Sequence, residues 1–176
     1  GWGGSCFGKD SAALISTAGE YGLAMPIVSA AREVNYHQRE RVVEKLLAEL
    51  KILKGRTIGL LGLAFKPNTD DLRDAPALDI AEKLIGRGVR VKAHDPIALG
   101  RAKHEFGKGI HYCESAEEVA EDADALVLVT DWPEYQSLAW KKLAKIMANP
   151  LILDGRNYLN PTQLRKCGFK VLGMGR

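Results

Sequence analysis

The residue best suited to covalent chemistry, Cys6, lies in an opening segment that is rich in glycine. This segment reads GWGGSCFGKD over residues 1–10, so Lys9 and Asp10 lie close behind the cysteine. Glycines let a backbone approach a ligand closely, and a cysteine with a stabilised thiolate is a nucleophile. The composition therefore predicts a catalytic loop rather than a strand or a helix. Because no element precedes the segment to position it, we expect the chain to be part of a longer protein.

A polar segment, FKPNTDDLRD at 65–74, directly follows the apolar run at 57–63. A near-continuous apolar run suits a strand that is buried on both faces, and open α/β sheets bind ligands beyond the carboxyl ends of their strands. Arg156 likewise follows an apolar run at 151–153, and it either reaches the same crevice or lies in solvent. The two segments predict a binding crevice at one edge of a sheet.

Two features are candidates for binding a dinucleotide, and each has a structural alternative. The run GLLGLA at 59–64 lacks the full GxGxxG pattern, so its glycines are equally suited to close packing of a strand and a helix. Asp95 ends the next predicted strand, where Rossmann units place an acidic residue that binds a ribose hydroxyl. The same carboxylate is equally suited to capping a turn before Pro96. The residues alone leave both alternatives open.

The elements that must position these residues form two regions, 1–53 and 54–176. From about Gly55 onward, strands alternate with helices, which predicts a doubly wound, Rossmann-like α/β domain with a mostly parallel sheet. The predicted strands are 57–63, 89–94, 110–112, 125–129, 151–153 and 169–172. The predicted helices are 75–86, 97–106, 116–120, 139–147 and 161–166.

Two helices are expected before this domain. A short helix at 11–21 is ended by Gly22, and a long helix runs from Pro26 to about Leu53, since proline is favoured at a first helical position. Apolar residues three or four apart give the long helix an amphipathic stripe. The stripe consists of Ile27, Ala31, Val34, Val42, Leu46, Leu50 and Leu53. It either packs on the helix's own domain or forms a connector or a subunit interface.

Composition and charge exclude several classes of function. The chain has 176 residues and a net charge of +3, with basic and acidic residues interspersed, so no nucleic-acid partner is expected. No apolar run approaches the roughly 20 residues that span a bilayer, so no membrane segment is expected. The cysteines, Cys6, Cys113 and Cys167, are far apart and form no CxxC pair. We therefore expect reduced thiols in a cytoplasmic protein, with neither a disulfide framework nor a metal site.

The sequence resembles the UDP-glucose/GDP-mannose dehydrogenase family in motifs that occur in the family's order. They are GWGGSCFGKD at 1–10, GLAFKPNTDDLRDAP at 62–76, HDP at 94–96, TDWPEY at 130–135 and LDGRN at 153–157. The resemblance covers the whole chain and is to the carboxyl-terminal part of the family, without its amino-terminal NAD-binding Rossmann domain. It implies that residues 1–53 hold the catalytic segment and a central helical region, whose long helix at 26–53 forms a homodimer. It also implies that residues 54–176 form the UDP-sugar-binding domain.

The resemblance implies an NAD-dependent oxidation of the C6 alcohol of a UDP-sugar to a carboxylate, with two NAD molecules reduced. Cys6 matches the family's nucleophile, which holds the substrate as a thiohemiacetal and then as a thioester. Asp10 matches the aspartate that helps to activate water for hydrolysis of the thioester. A spacing of four residues places Cys6 and Asp10 on one side if a helix begins within the segment.

The remaining matches imply binding roles. Lys9 and Arg73 match positions that contact NAD. The positions that match the family's UDP-sugar site are Gly1, Trp2, Gly3, Phe65, Lys66 and Arg156. SCF at 5–7 and KPNT at 66–69 are more similar to the UDP-glucose branch than to the GDP-mannose branch. Since most of the implied NAD site is missing, this chain alone is expected to be inactive, and a non-catalytic nucleotide-sugar-binding module is the alternative.

Overall fold

The computed structural model describes residues 1–106 and 108–175, and it confirms the Rossmann-like α/β fold. In this part of the chain the strands are β1 (Thr57–Leu61), β2 (Arg90–His94), β3 (Ile110–Tyr112), β4 (Ala125–Leu128), β5 (Leu151–Asp154) and β6 (Lys170–Gly173). They form one sheet in the order β3-β2-β1-β4-β5-β6, and every strand pair is parallel. This order reverses direction between β1 and β4, which is the Rossmann arrangement and the usual place of ligand binding.

Helices cover both faces of the sheet, as the doubly wound prediction requires. They are α1 (Ser5–Glu20), α2 (Pro26–Leu50), α3 (Pro76–Ile85), α4 (Leu99–Glu105), α5 (Ala116–Ala120), α6 (Trp140–Ile146) and α7 (Pro161–Lys166). One buried cluster packs α2, α3 and α4 on one face, and a second packs α5, α6 and α7 on the other. Apart from the start of α1, the predicted ends differ from the observed ends by no more than about three residues. A short 3-10 helix, Pro133–Ser137, is an additional element that the periodicity does not predict.

Helix α1 begins at Ser5, so the prediction that a helix starts only at Ser11, after a loop, is wrong. Gly4 has a φ of 90°, which turns the chain just before the first helical turn. A glycine inside a helix, such as Gly8, costs about 1 kcal/mol relative to alanine. The guanidinium of Arg32 on α2 donates to the Gly8 carbonyl and opposes this cost. The cysteine of the opening segment therefore lies on a helix rather than in a loop.

Helix α2 ends at Leu50, three residues earlier than predicted, and only its carboxyl-terminal half packs on the sheet. Val42 and Leu46 are buried there, whereas Ile27 is 83% exposed and Val34 is 55% exposed. The carboxyl-terminal half of the stripe therefore packs on the helix's own domain. The amino-terminal half is exposed, as the alternative of a connector or a subunit interface requires. None of the helices in the described residues combines the length and the apolar character that crossing a membrane requires.

A buried carboxylate, Asp95, holds the loops at the carboxyl edge of the sheet. Asp95 is 1% exposed and accepts hydrogen bonds of 2.7 to 3.1 Å on both of its oxygens. Its donors are the backbone N–H groups of Leu63, Ala64, Ile97 and Ala98 and the indole N–H of Trp132. Asp95 therefore caps the turn that contains Pro96, which is the structural alternative to binding a ribose hydroxyl.

The glycines of the turn after β1 are likewise needed for packing. A side chain on Gly59 would clash with Val119, and a side chain on Gly62, whose φ is 94°, would clash with Thr130. In a dinucleotide-binding turn, the backbone N–H groups at the start of the helix face the pyrophosphate. Here no helix begins directly after β1, because α3 begins only at Pro76, and Asp95 binds the N–H groups of Leu63 and Ala64 in the turn. The packing alternative for these glycines fits the structure better than the dinucleotide fingerprint.

Replacing Asp95 by Asn tests the importance of this carboxylate. The amide would direct N–H groups towards N–H donors and would remove the charge, so we expect the free energy of unfolding to fall by about 3 kcal/mol. Urea unfolding measures this change. Asp122→Asn is the matched control, because Asp122 is exposed and has a φ of 55° that asparagine tolerates. A loss in Asp95→Asn no larger than that of the control would contradict the role given to Asp95.

Candidate active site

Three segments that carry predicted site residues meet at the carboxyl edge of the sheet. They are the opening segment at 1–10, the β1–α3 loop at 62–75 and the β5–α7 loop at 155–160. The strand order reverses between β1 and β4, so the loop after β1 borders the crevice in which Rossmann-like sheets bind ligands. The opening segment reaches this edge through its first four residues, here called the glycine segment (1–4).

The glycine segment lies on α2 through two polar side chains. The Trp2 N–H donates to Asn35 Oδ1 at 2.6 Å, and Asn35 Nδ2 donates to the Trp2 carbonyl at 3.1 Å. Arg39, one turn further along α2, donates from Nη2 to the same carbonyl at 3.3 Å. A Cβ on Gly1 would lie 2.7 Å from Asn35 Oδ1, so a larger residue would push the segment away from the helix.

The other side of the glycine segment lies on the β1–α3 loop. The Gly4 N–H donates to the Arg73 carbonyl at 3.1 Å. A Cβ on Gly3 would lie 2.5 Å from the Asp74 carbonyl, and one on Gly4 would lie 2.8 Å from the Phe65 ring. Since glycine alone allows such an approach, the glycine pattern serves the packing of two protein segments. A role in approaching a ligand is compatible with this packing but is not needed to explain it.

Arg156 joins the glycine segment to the end of β4. Its Nε donates to the Val129 carbonyl at 2.6 Å, and its Nη1 donates to the Gly1 carbonyl at 2.8 Å. Burial lowers the pKa of Arg156, while the nearby Asp131 acts in the opposite direction. An arginine keeps its charge in proteins and has five N–H donors. Arg156 thus borders the crevice instead of lying in solvent, and it has further donors for an anionic ligand.

Cys6 is exposed in the first turn of α1, and its Sγ lies 3.8 Å from Ser5 Oγ. The first N–H groups of a helix have no partner within it, and they carry a partial positive charge. Asp10 lies one turn later on the same side of the helix. Its carboxylate is 3.8 Å from Lys9 Nζ, and both side chains are largely exposed. A negative charge that forms beside Cys6 would therefore meet the positive end of α1.

The β1–α3 loop, which the glycine segment contacts just before this cysteine, carries two exposed cations, Lys66 and Arg73. Lys66 Nζ lies 5.3 Å from the centre of the Phe65 ring, in a cation–π arrangement. Arg73 donates to both carboxylate oxygens of Asp71 at 2.8 to 3.2 Å, which lowers the pKa of Asp71 to about 2. The pKa of Arg73 is raised mainly by its hydrogen bonds to Asp71, and Cys6 acts weakly in the same direction.

Most of the predicted site residues are thus brought together. The residues that share these contacts are Gly1, Trp2, Gly3, Phe65, Arg73 and Arg156, and Cys6 lies two residues beyond the glycine segment. Lys9, Asp10 and Lys66 lie at the exposed rim of this group. Apart from the Lys9–Asp10 pair and the Lys66–Phe65 contact, no hydrogen bond or ion pair within the described residues joins them to the other predicted site residues. Their proposed roles therefore depend on a ligand.

The sequence analysis does not single out Asn35, Arg39 or Asp74, which hold the glycine segment in place. Asn35 and Arg39 are buried polar residues on α2. A signal for them exists, because the apolar stripe of α2 is interrupted between Val34 and Val42 while the helix continues. Polar residues on the inward face of a helix indicate a partner that is itself polar, and here that partner is the backbone of the glycine segment.

The described residues fit only one part of an NAD site. Arg73 and Lys9 are exposed cations that suit the anionic groups of a dinucleotide. The turn after β1 does not fit a pyrophosphate, because Asp95 binds its N–H groups. Within the described residues, no group of three or more His, Cys, Asp and Glu side chains is placed to hold a metal ion.

Comparison with known proteins identifies the family. The UDP-binding-domain model of the UDP-glucose/GDP-mannose dehydrogenase family matches residues 59–161, which is more than half of the chain. The chain belongs to the UDP-glucose/GDP-mannose dehydrogenase family. The central-domain model of the same dehydrogenase family matches residues 1–37, the region of the opening segment and the amino-terminal half of α2.

Curated members of this dehydrogenase family align over the whole chain. UDP-glucose 6-dehydrogenase TuaD of Bacillus subtilis is 42% identical over 176 residues, which cover 100% of the chain and 38% of TuaD. A UDP-glucose 6-dehydrogenase of Pseudomonas aeruginosa is 42% identical over 183 residues, which cover 100% of the chain and 40% of that protein. The chain therefore spans about two fifths of the length of these relatives.

Solved structures of family members share the fold. A UDP-glucose dehydrogenase from Pyrobaculum islandicum superposes with a TM-score of 0.85 at 34% identity, covering 99% of the chain and 38% of that protein. A UDP-D-ManNAc dehydrogenase from Pyrococcus horikoshii superposes with a TM-score of 0.79 at 31% identity, covering 100% of the chain and 39% of that protein. Members that bear different substrate names thus have the same arrangement of elements.

Replacing Gly4 by Ala tests whether the glycine segment is held by close packing. Alanine at a φ of 90° and against Phe65 introduces strain of about 1–3 kcal/mol. We expect the glycine segment to relieve this strain by moving away from the β1–α3 loop. Trp132 and Trp140 are buried, so acrylamide quenching of tryptophan fluorescence in the chain reports mainly on Trp2. We expect stronger quenching in the variant than in the unaltered chain.

Gly19→Ala is the matched control for this substitution. Gly19 lies in α1 with open space around it, so alanine is expected to stabilise the helix by up to about 1 kcal/mol without moving Trp2. Equal quenching of the Gly4 variant and the Gly19 variant would show that the packing of residues 1–4 does not require glycine.

Proposed function

We propose that this chain is the cysteine-bearing and UDP-sugar-binding part of an NAD-dependent dehydrogenase that oxidises UDP-glucose to UDP-glucuronate. One observation carries the proposal: an exposed cysteine at the start of a helix lies two residues beyond a glycine segment that is bound to the loops after β1 and β5. The 42% identity to UDP-glucose 6-dehydrogenase TuaD along the whole chain supports UDP-glucose as the substrate. A reactive thiol is not needed by a module that only binds a nucleotide sugar.

The UDP-sugar is proposed to lie between the glycine segment and the loops after β1 and β5. Lys66 and Arg156 supply positive charge for the diphosphate, and the donors of Arg156 are already oriented by its bonds to Val129 and Gly1. Phe65 supplies an apolar wall beside Lys66. With the diphosphate held there, the sugar extends towards the amino-terminal end of α1, where Cys6 lies.

The proposed chemistry at Cys6 uses groups on one helix. The hydride acceptor for both oxidation steps at C6 would be supplied by bound NAD. The Cys6 sulfur adds to the aldehyde carbon and holds it as a thiohemiacetal, so the aldehyde is not released, and loss of the second hydride from C6 converts the thiohemiacetal to a thioester. The free N–H groups of the first turn of α1, together with Arg73, stabilise the negative charge on the C6 oxygen.

Hydrolysis completes the proposed sequence of reactions. Asp10 accepts a proton from a water molecule that attacks the thioester carbon. The C–S bond then breaks, the sugar leaves as a carboxylate, and the Cys6 thiol is restored. Lys9, 3.8 Å from Asp10, and Arg73 are proposed to hold the anionic groups of NAD from the exposed side of the site.

The test uses the complete gene product that contains this chain. With UDP-glucose and NAD we expect two NADH per UDP-glucose, measured by absorbance. Because the acylated intermediate requires a thiolate, Cys6→Ser should lower kcat by at least about 10³-fold. Cys167→Ser is the matched control and should keep the full rate, since Cys167 lies on α7 near the opposite end of the chain.

Two outcomes would contradict this proposal. Absence of NADH formation with any UDP- or GDP-sugar would refute the dehydrogenase activity. Oxidation of UDP-N-acetylmannosamine or GDP-mannose in preference to UDP-glucose would refute the proposed substrate while leaving the cysteine mechanism in place.

We also propose that the exposed half of α2 forms a homodimer interface. Exposed apolar side chains line α1, the α1–α2 turn and the start of α2, and they are Leu14, Tyr21, Leu23, Ile27 and Val34. Unpaired apolar surface of this extent marks a binding surface for another protein. A second copy of the chain is its proposed occupant, with the two long helices in contact.

Sedimentation velocity of the complete gene product tests the interface. Ile27→Glu should convert a dimer to a monomer, because it buries an unpaired carboxylate in an apolar contact. Ile97→Glu is the matched control, since Ile97 is similarly exposed but lies in the turn before α4. If the Ile27 variant sediments like the control, α2 does not form the interface.

A further inference from the structure

The position of Cys6 depends on very few contacts. No residue of α1 is buried, and within the described residues its apolar contacts are limited to the half-buried Ile15 and Ala18 and to the Phe7 ring, whose centre lies 5.0 Å from that of Trp2. Its attachment to the sheet runs through the glycine segment, and its attachment to α2 includes the bonds from Arg32 to Gly8 and Ser11. The residues that fix the glycine segment therefore determine where the thiol lies relative to the crevice.

Arg39 is a buried member of this fixing group, at 5% exposure. Its Nη2 donates to Asp74 Oδ1 at 2.8 Å, to the Asp74 carbonyl at 3.4 Å and to the Trp2 carbonyl at 3.3 Å. One guanidinium thus binds α2, the β1–α3 loop and the glycine segment together. Asn35 adds hydrogen bonds to both backbone groups of Trp2.

The arrangement at Arg39 is not the one that stability alone would favour. Its Nε is buried and has no hydrogen-bond partner in the described part of the chain. A buried ion pair can often be replaced by apolar residues without loss of stability, and unsatisfied buried donors are rare and unfavourable. A methionine on the same face of α2 would fill similar volume without these unfavourable terms. Arg39 is therefore better explained by the position of the segment that it binds.

We infer that Arg39 and Asn35 are positioning residues, which hold the glycine segment so that Cys6 faces the crevice at a fixed distance. The inference rests on the proposed function only in the assignment of Cys6 as nucleophile. Neither side chain is assigned a contact with substrate or cofactor. Both are proposed to act through the backbone of Trp2, and Arg39 acts also through Asp74.

The decisive variants are Arg39→Met and the double variant Arg39→Met with Asp74→Asn. The second change removes the carboxylate that would otherwise lose its partner, and asparagine tolerates the φ of 49° at this position. Arg87→Met is the matched control. Like the Arg39 variant, the Arg87 variant loses an arginine that forms an ion pair with a carboxylate, here Glu40 of α2. Arg87 itself follows α3 and lies away from the glycine segment.

Hydrogen exchange followed by mass spectrometry gives a readout that does not depend on activity. In the complete gene product, we expect the hydrogen-bonded amides of the glycine segment, those of Trp2 and Gly4, to exchange at least tenfold faster in both Arg39 variants, with those of β1, β4 and β5 unchanged. The Arg87 variant should leave these two amides as protected as in the unaltered protein. Unchanged exchange of both amides in both Arg39 variants would overturn the inference.

The kinetic readout separates positioning from stability. A displaced nucleophile lowers the rate of the chemical step more than it weakens binding, so kcat should fall at least tenfold while KM for UDP-glucose changes less than threefold. The thermal midpoint of the double variant should stay close to that of the Arg87 control. A kcat within twofold of the unaltered protein would refute the inference. If the unaltered protein has no activity, the proposed function fails, and the exchange measurement alone decides whether Arg39 holds the segment.

Discussion

The Asp95 carboxylate is the interaction on which the carboxyl edge of the sheet depends. It accepts N–H bonds from the turns after β1 and β2 and from Trp132 in the segment after β4. Three loops that are far apart in the sequence are thereby fixed around one buried charge. The same bonds occupy the N–H groups of Leu63 and Ala64 in the turn after β1. The cations at this edge are side chains, and they include Lys66, Arg73 and Arg156.

The glycine segment completes this edge from outside the sheet. Its glycines allow it to lie between α2 and the β1–α3 loop, where Arg39 and Asn35 bind its backbone from one side. Arg156 binds it from the other side while holding the end of β4. The thiol of Cys6 is thus presented by an otherwise exposed helix whose position is set by polar contacts. This arrangement combines an exposed thiol with a defined location.

The sequence predicts much of the fold because its signals are local. Alternating apolar runs and helical stretches suffice for the sheet and its helices, and Gly22 ends α1 as expected, with a φ of 70°. Three of the five donors to Asp95, and the hydrogen-bond partners of Arg39, lie more than 30 positions away in the sequence, which periodicity does not report. The sequence predicts a loop where α1 begins, because a glycine-rich segment that packs closely against protein has the same composition as one that surrounds a ligand. Cys6, by contrast, stands out by residue type alone.

Mass spectrometry of the covalent intermediate tests the central claim most directly. The Asp10→Asn variant of the complete gene product, mixed with UDP-glucose and NAD and quenched in acid, should accumulate an acyl adduct because hydrolysis lacks its base. The expected result is a peptide containing Cys6 that carries the mass of the UDP-glucuronyl group. No adduct, or an adduct on Cys113 or Cys167 instead, would contradict the assignment of Cys6 as the nucleophile.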